Sequence, residues 1–164
     1  MTTQRRSYEA GHSPKCLVVV DETAEWDRAV YYASRWASRL GGGVVMLHVI
    51  ETDQQNQQWL GVADIMRAEA YENANAALDR AAGRANRIAA ITPEQVIREG
   101  EAAEQILEAI EQDVDIAMLV LSASPAPEGP GPLTTMLAKT VGTFPIPVVI
   151  VPGDLSDSDL DALS

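Results

Sequence analysis

Cysteine occurs once in this chain of 164 residues, as Cys16. No internal disulfide can form, and the chain suits a reducing compartment. Long apolar runs are missing too: none reaches the ~18 residues that a membrane-spanning helix needs. Residues 1–15 are basic but hold no apolar stretch of the kind a secretory signal requires. A cytoplasmic protein without a membrane partner is therefore expected. Basic charge is scarce, with 12 Lys and Arg against 24 Asp and Glu and a net charge of −12. Neutralising phosphates takes a basic patch, so nucleic acid is not an expected partner. The excess acid reads as a solvated surface.

The usual signatures of chemistry are also absent. Neither GxGxxG nor GxxxxGK[ST] occurs, and the triple glycine at residues 41–43 precedes a strand, the wrong context for a dinucleotide turn. Two isolated histidines, His12 and His48, with one cysteine do not make a metal site. His48 lies inside an expected strand with no nucleophile elbow to accompany it, and reads as a packed, hydrogen-bonded residue. A phospho-acceptor domain would want an Asp ending strand three and a Lys ending strand five, where Glu99-Gly100 and Pro152 stand. No pair stands out as base and nucleophile, so the chain is expected not to be an enzyme.

What is present is a regular alternation of strand and helix. Residues 16–20, Cys-Leu-Val-Val-Val, form a short continuous apolar run, the mark of a strand covered on both faces. Thr23 is placed to cap a helix on which Trp26, Ala29, Ala33, Trp36 and Leu40 share one face. The glycines at 41–43 stop it, and residues 44–50 make a second buried strand. After a polar segment at 53–58, a long helix starts near Trp59, with Tyr71, Ala74, Leu78, Ala81, Ala85 and Ile88 in one stripe. Pro93 ends that helix. Residues 95–98 make a shorter, more polar strand that suits a sheet edge. Gly100 turns the chain into a helix with Ala103, Ile106, Leu107 and Ile110. Strand four spans 116–121, a last helix 133–142, and strand five 146–151. Five strands with intervening helices imply parallel strands and right-handed crossovers. The fold class is thus α/β, a single-domain doubly wound sheet over residues 15–153. A flexible N-terminal tail (1–14) and a mobile acidic C-terminal tail (154–164) flank it, the latter with Asp154, Asp157, Asp159 and Asp161 and no basic residue.

In such sheets ligands bind outside the carboxyl ends of the strands. Two loops there are suggestive. Asp21, after strand one, can accept hydrogen bonds from a ribose hydroxyl or from backbone N–H groups of its own turn. The loop at 122–132, SASPAPEGPGP, offers Gly129 and Gly131 to a phosphate, but Pro125, Pro127, Pro130 and Pro132 supply no N–H. With Pro132 at the first helical position, the amides and hydroxyls of Thr134 and Thr135 lie near a positive helix end.

These residues resemble the universal stress protein family. The resemblance runs from Cys16 to Val151 through LVVVDETAEWDRAVYYASRWA, VVMLHVIE, VDIAMLVLSAS and TFPIPVVIVP. It implies a five-stranded parallel sheet in the order 3-2-1-4-5 and a cytoplasmic, often homodimeric protein. Some members of that family bind ATP. The resemblance then places Asp21 near the nucleotide and the backbone of Val49 at adenine. The phosphate pattern of such members is Gly, two residues, Gly, nine residues, then Gly and Ser or Thr. Here Thr134 and Thr135 fall where its last pair should be, and Ser122 and Pro125 fall near the two earlier glycines. All three motif glycines are missing, which predicts weak or absent nucleotide binding.

Strand five supplies its own signal. Ile146, Val148, Val149, Ile150 and Val151 make an apolar edge that invites pairing with a second copy. The expected function is a stress-response regulator that acts as a dimer through contacts with other proteins. The alternative is a sensor of ATP or another adenine nucleotide, using Asp21, Val49, Ser122, Gly129, Gly131, Thr134 and Thr135.

Overall fold

The computed structural model describes residues 3–52 and 60–164. The polar segment expected at 53–58 and the helix start at Trp59 lie outside them. In chain order the elements are β1 (Lys15–Val19), α1 (Trp26–Leu40), β2 (Gly43–Glu51), α2 (Leu60–Ala89), β3 (Glu94–Gly100), α3 (Ala102–Gln112), β4 (Ile116–Ala123), α4 (Pro132–Ala138), β5 (Val148–Pro152) and α5 (Asp157–Leu163). The five strands are all parallel in the order β3-β2-β1-β4-β5, which is the order the family resemblance implies.

The alternation of side chains along β1 explains its continuous apolar run. Cys16, Val18 and Val20 enter one core with α1, α2 and Leu160 of α5, while Leu17 and Val19 enter a second core with α3 and α4. Both faces are covered, so both sets of side chains must be apolar. Burial pushes the Cys16 thiol up to about 12, which makes it a small inert core residue. The α2 stripe lies as its spacing predicts: Ala74, Leu78, Ala81, Ala85 and Ile88 are buried. Small alanines there bring the helix close to the sheet.

Several local expectations give way to tertiary structure. Thr23 does not cap α1; Glu25 precedes the first turn without a side-chain cap, because Thr23 turns its N–H and hydroxyl onto Asp21. Leu40 and Leu107 complete helical patterns but point outward, 53% and 42% exposed. The helix expected at 133–142 ends at Ala138 and is followed by a separate 3-10 turn, Val141–Thr143. β5 begins at Val148, two residues later than expected. Its outer edge is unpaired among the described residues, whereas β3, the other edge, carries Glu94, Gln95, Arg98 and Glu99.

Both ends of the chain are tied down. In the segment at 3–14, the Arg6 N–H donates to Val114 C=O at 2.9 Å, Ser7 is buried, and His12 meets Asp115 at 2.6 Å. The acidic end is a helix, not a mobile tail. Ser156 and Asp159 close a capping box around its first turn, and Leu160 is fully buried. Its carboxylates face arginines of α1 and α2. Arg28 reaches Asp157 at 2.6 Å and Arg35 reaches Asp161 at 2.8 Å. Arg84 holds Asp27 at 2.7 Å. The Tyr31 hydroxyl donates to Asp161 at 2.7 Å, and the guanidinium groups of Arg28, Arg35 and Arg84 lie about 5.5 Å from the Tyr31 ring. The residues were readable as acidic; their partners, far away in sequence, were not.

Candidate functional site

A cleft of about 580 Å³ opens at the carboxyl edge of β1 and β2, within the usual size of a small-molecule site. Its walls come from Val19 to Glu22 after β1, His48 to Glu51 on β2, Ala70 and Asn73 of α2, Ala102 of α3, and Pro132, Leu133 and Met136 of α4.

The cleft exists because β1 stops before β2 does. The last register pair between them is Val19↔Leu47, and Val20 N–H donates to Leu47 C=O at 2.8 Å. Val20 C=O would accept the next ladder bond, but it takes the ring Nδ1 of His48 at 2.8 Å instead. A carbonyl can only accept, so His48 carries its proton on Nδ1. Backbone groups point to alternate sides along a strand, so the N–H and C=O of Val49 face the same way as those of Leu47, past the end of β1. They offer one donor and one acceptor side by side. Across from them Asp21 uses Oδ1 to accept from the N–H (2.9 Å) and hydroxyl of Thr23. No partner for its Oδ2 is present among the described residues. Asp21 therefore fills its turn role while keeping one oxygen for another donor.

The charge of this cleft is of one sign. Asp21, Glu22 and Glu51 line it, and no Lys or Arg does among the described residues. The sequence from Glu51 to Met66 adds no basic residue. Arg67 is engaged by Glu99 at 2.8 Å and stacks on Tyr71; its hydrogen bond holds the Glu99 carboxyl below the ordinary range. Among the described residues no cluster of His, Cys, Asp and Glu could hold a metal ion.

A separate, shallower groove adjoins the cleft across Pro132 and Met136, lined also by Glu128, Gly129, Gly131, Thr135 and Lys139. The loop above it spends three of its amides on itself. Ser124 N–H goes to Pro130 C=O at 3.1 Å, Ala126 N–H to the Ser124 hydroxyl at 3.2 Å, and Gly129 N–H to Ala126 C=O at 3.1 Å. Gly129 and Gly131 have φ of +117° and +103°, with open space where a Cβ would stand. Backbone conformation, rather than close approach of a neighbouring group, therefore explains glycine at both.

The candidate residues thus fall into three places. Asp21 and Val49 share the cleft; Gly129, Gly131 and Thr135 share the groove. Ser122 and Thr134 line neither, since the Thr134 hydroxyl is buried and donates to Ser122 C=O at 3.1 Å. Thr135 is exposed. Of the five edge residues, Ile146 and Val151 are buried in the protomer itself, Val148 and Val149 are half-buried, and Ile150 is 43% exposed. Sequence reasoning missed Glu22, Glu51, Asn73 and Met136 as cleft residues. They carry no motif, and only the crossover topology brings them together.

Comparison with known proteins agrees with this architecture. The family described as "Universal stress protein family" matches residues 13–152. No curated protein sequence matches significantly. Among solved structures, a universal stress protein UspA from Lactobacillus plantarum is similar at a TM-score of 0.71 and 19% identity, over 84% of this chain and 97% of that one. A universal stress protein in complex with cAMP is similar at 0.59 and 18% identity, over 84% and 96%. One from Archaeoglobus fulgidus in complex with dAMP is similar at 0.56 and 15% identity, again over 84% and 96%. At these identities the likeness speaks for the fold.

Proposed function

Given that this chain belongs to the universal stress protein family, we propose that it is a non-enzymatic, cytoplasmic stress-response regulator that works as a homodimer through protein contacts, with weak or no binding of nucleoside phosphates. The observation that carries this reading is the loop at 122–132, where four prolines offer no N–H and the amides of Ser124, Ala126 and Gly129 are bonded within the loop. An anion there would find few donors. Dimerisation is supported by the outer edge of β5, unpaired among the described residues, and by the exposed Ile150, since such a strand edge favours pairing with another. Mass spectrometry of the purified, denatured protein should recover no stoichiometric nucleotide; stoichiometric ATP would overturn the reading. Sedimentation at concentrations on the order of tens of micromolar should show a dimer, and Ile150→Asp should shift it toward monomer. A monomer in the parent protein at those concentrations would remove the dimer from the proposal.

A second reading, a sensor of adenine compounds, is favoured by the cleft itself. The N–H and C=O of Val49, which have no β1 partner among the described residues, would match the adjacent donor and acceptor of an adenine edge, and Asp21 Oδ2 could accept from a ribose. Two similar proteins hold cAMP and dAMP, which supports looking here for an adenine group.

A further inference from the structure

We infer that the cleft between β1 and β2 selects an uncharged adenine nucleoside over its phosphorylated forms. This rests on the second reading above, that an adenine group enters the cleft, and adds which chemical form it takes.

The two halves of a nucleotide meet opposite conditions. For the base and sugar the cleft supplies a backbone donor and acceptor at Val49, one carboxylate oxygen at Asp21, and apolar walls from Val19, Val20, Leu133 and Met136. For phosphate it supplies repulsion. Asp21, Glu22 and Glu51 stand in its walls without a lining cation among the described residues. Among the described residues no group of three or more His, Cys, Asp or Glu is clustered to hold a divalent ion that would bridge to phosphates. The helix that follows starts with proline, Thr134 has given its hydroxyl to Ser122, and the amides of Ser124, Ala126 and Gly129 are engaged within the loop. Among the described residues Lys139 is the one cation lining the adjoining groove, and Glu128 shares its wall. A neutral nucleoside forfeits none of the favourable contacts and avoids the repulsion.

Titration calorimetry with adenosine, AMP and ATP, each with and without Mg²⁺, tests this. Adenosine should bind on the order of tenfold more tightly than AMP, the size of one charge–charge repulsion at a partly solvated distance, and ATP should bind no better than AMP with or without Mg²⁺. Raising salt should narrow the gap by improving AMP binding while leaving adenosine unchanged, because screening acts only on the charged ligand. The double variant Glu22→Gln/Glu51→Gln, at two exposed positions, should narrow it in the same way with an unchanged urea midpoint. AMP or ATP binding as tightly as adenosine would overturn the charge selection and leave the adenine reading standing. Failure of all three to bind would overturn both.

Discussion

Two acidic regions of this molecule use the same side chains to opposite ends. On α5, Asp157 and Asp161 face Arg28, Arg35, Arg84 and the Tyr31 hydroxyl. Around the cleft, Asp21, Glu22 and Glu51 have no lining cation among the described residues. The first group helps to hold a helix against α1; the second makes the potential of the cleft negative. A net charge of −12 therefore describes neither region, and the difference lies in where the arginines are.

The comparison breaks most readily at α5. Leu160→Ala removes the fully buried anchor of that helix and should cost about 2–5 kcal/mol, read as a lowered urea midpoint. Arg28→Ala should cost less, about 1.5–3 kcal/mol, the worth of hydrogen bonds to charged groups. This guanidinium is 14% exposed and binds Asp27, Asp157 and the Leu155 carbonyl. A loss below about 0.5 kcal/mol, the range of ordinary surface changes, would put the Arg28 pairs in the same class as exposed ones. At the cleft, Glu22→Gln should change stability by no more than about 0.5 kcal/mol, since Glu22 is exposed. A large loss there would mean that the cleft carboxylates are structural after all.

Acid separates the regions further. Burial opposes ionisation of Asp27, but hydrogen bonds and charge from Arg84 and Arg28 outweigh it and hold the carboxyl below its ordinary 3.8. The hydrogen bond from Tyr31 likewise lowers Asp161, with help from Arg35. A carboxyl depressed in the folded state lends stability above its unfolded value and loses it as pH falls through the folded one. Loosening of α5, followed through the fluorescence of Trp26 and Trp36 in the same core, should therefore begin below about pH 4 and be absent between about pH 5 and 8, where paired carboxylates stay ionised. A transition near neutrality would contradict the arginine pairing.

Much of the sheet was legible because its physics is local. A strand covered on both faces must be continuously apolar, and a helix lying on a sheet must repeat its small residues every three or four positions. β1, β2 and the α2 stripe follow those rules. The strand order came from the resemblance, not from periodicity. The acidic end was misjudged because a single buried leucine gives no periodic signal, and its partners lie on α1 and α2. Thr23 was misjudged because a capping hydroxyl and an Asx-turn donor look alike in sequence. The cleft was half legible: Asp21 and Val49 sit at strand ends, where position alone points to a ligand. Its charge was not, since Glu22 follows β1 and Glu51 ends β2, and only the fold brings them together.

The unlike borders of the sheet have a further consequence for assembly. β3 ends the sheet in Glu94, Gln95, Arg98 and Glu99, whereas β5 ends it in Val148, Val149, Ile150 and Val151. Two copies joined through β5 about a two-fold axis would present β3 at both outer borders. Charged borders resist further strand addition, so growth would stop at two. A filament needs adhesive edges on both sides, and this chain has one. In such a dimer the polar strand would act as a terminator, and the apolar edge would carry no hazard of open-ended polymerisation.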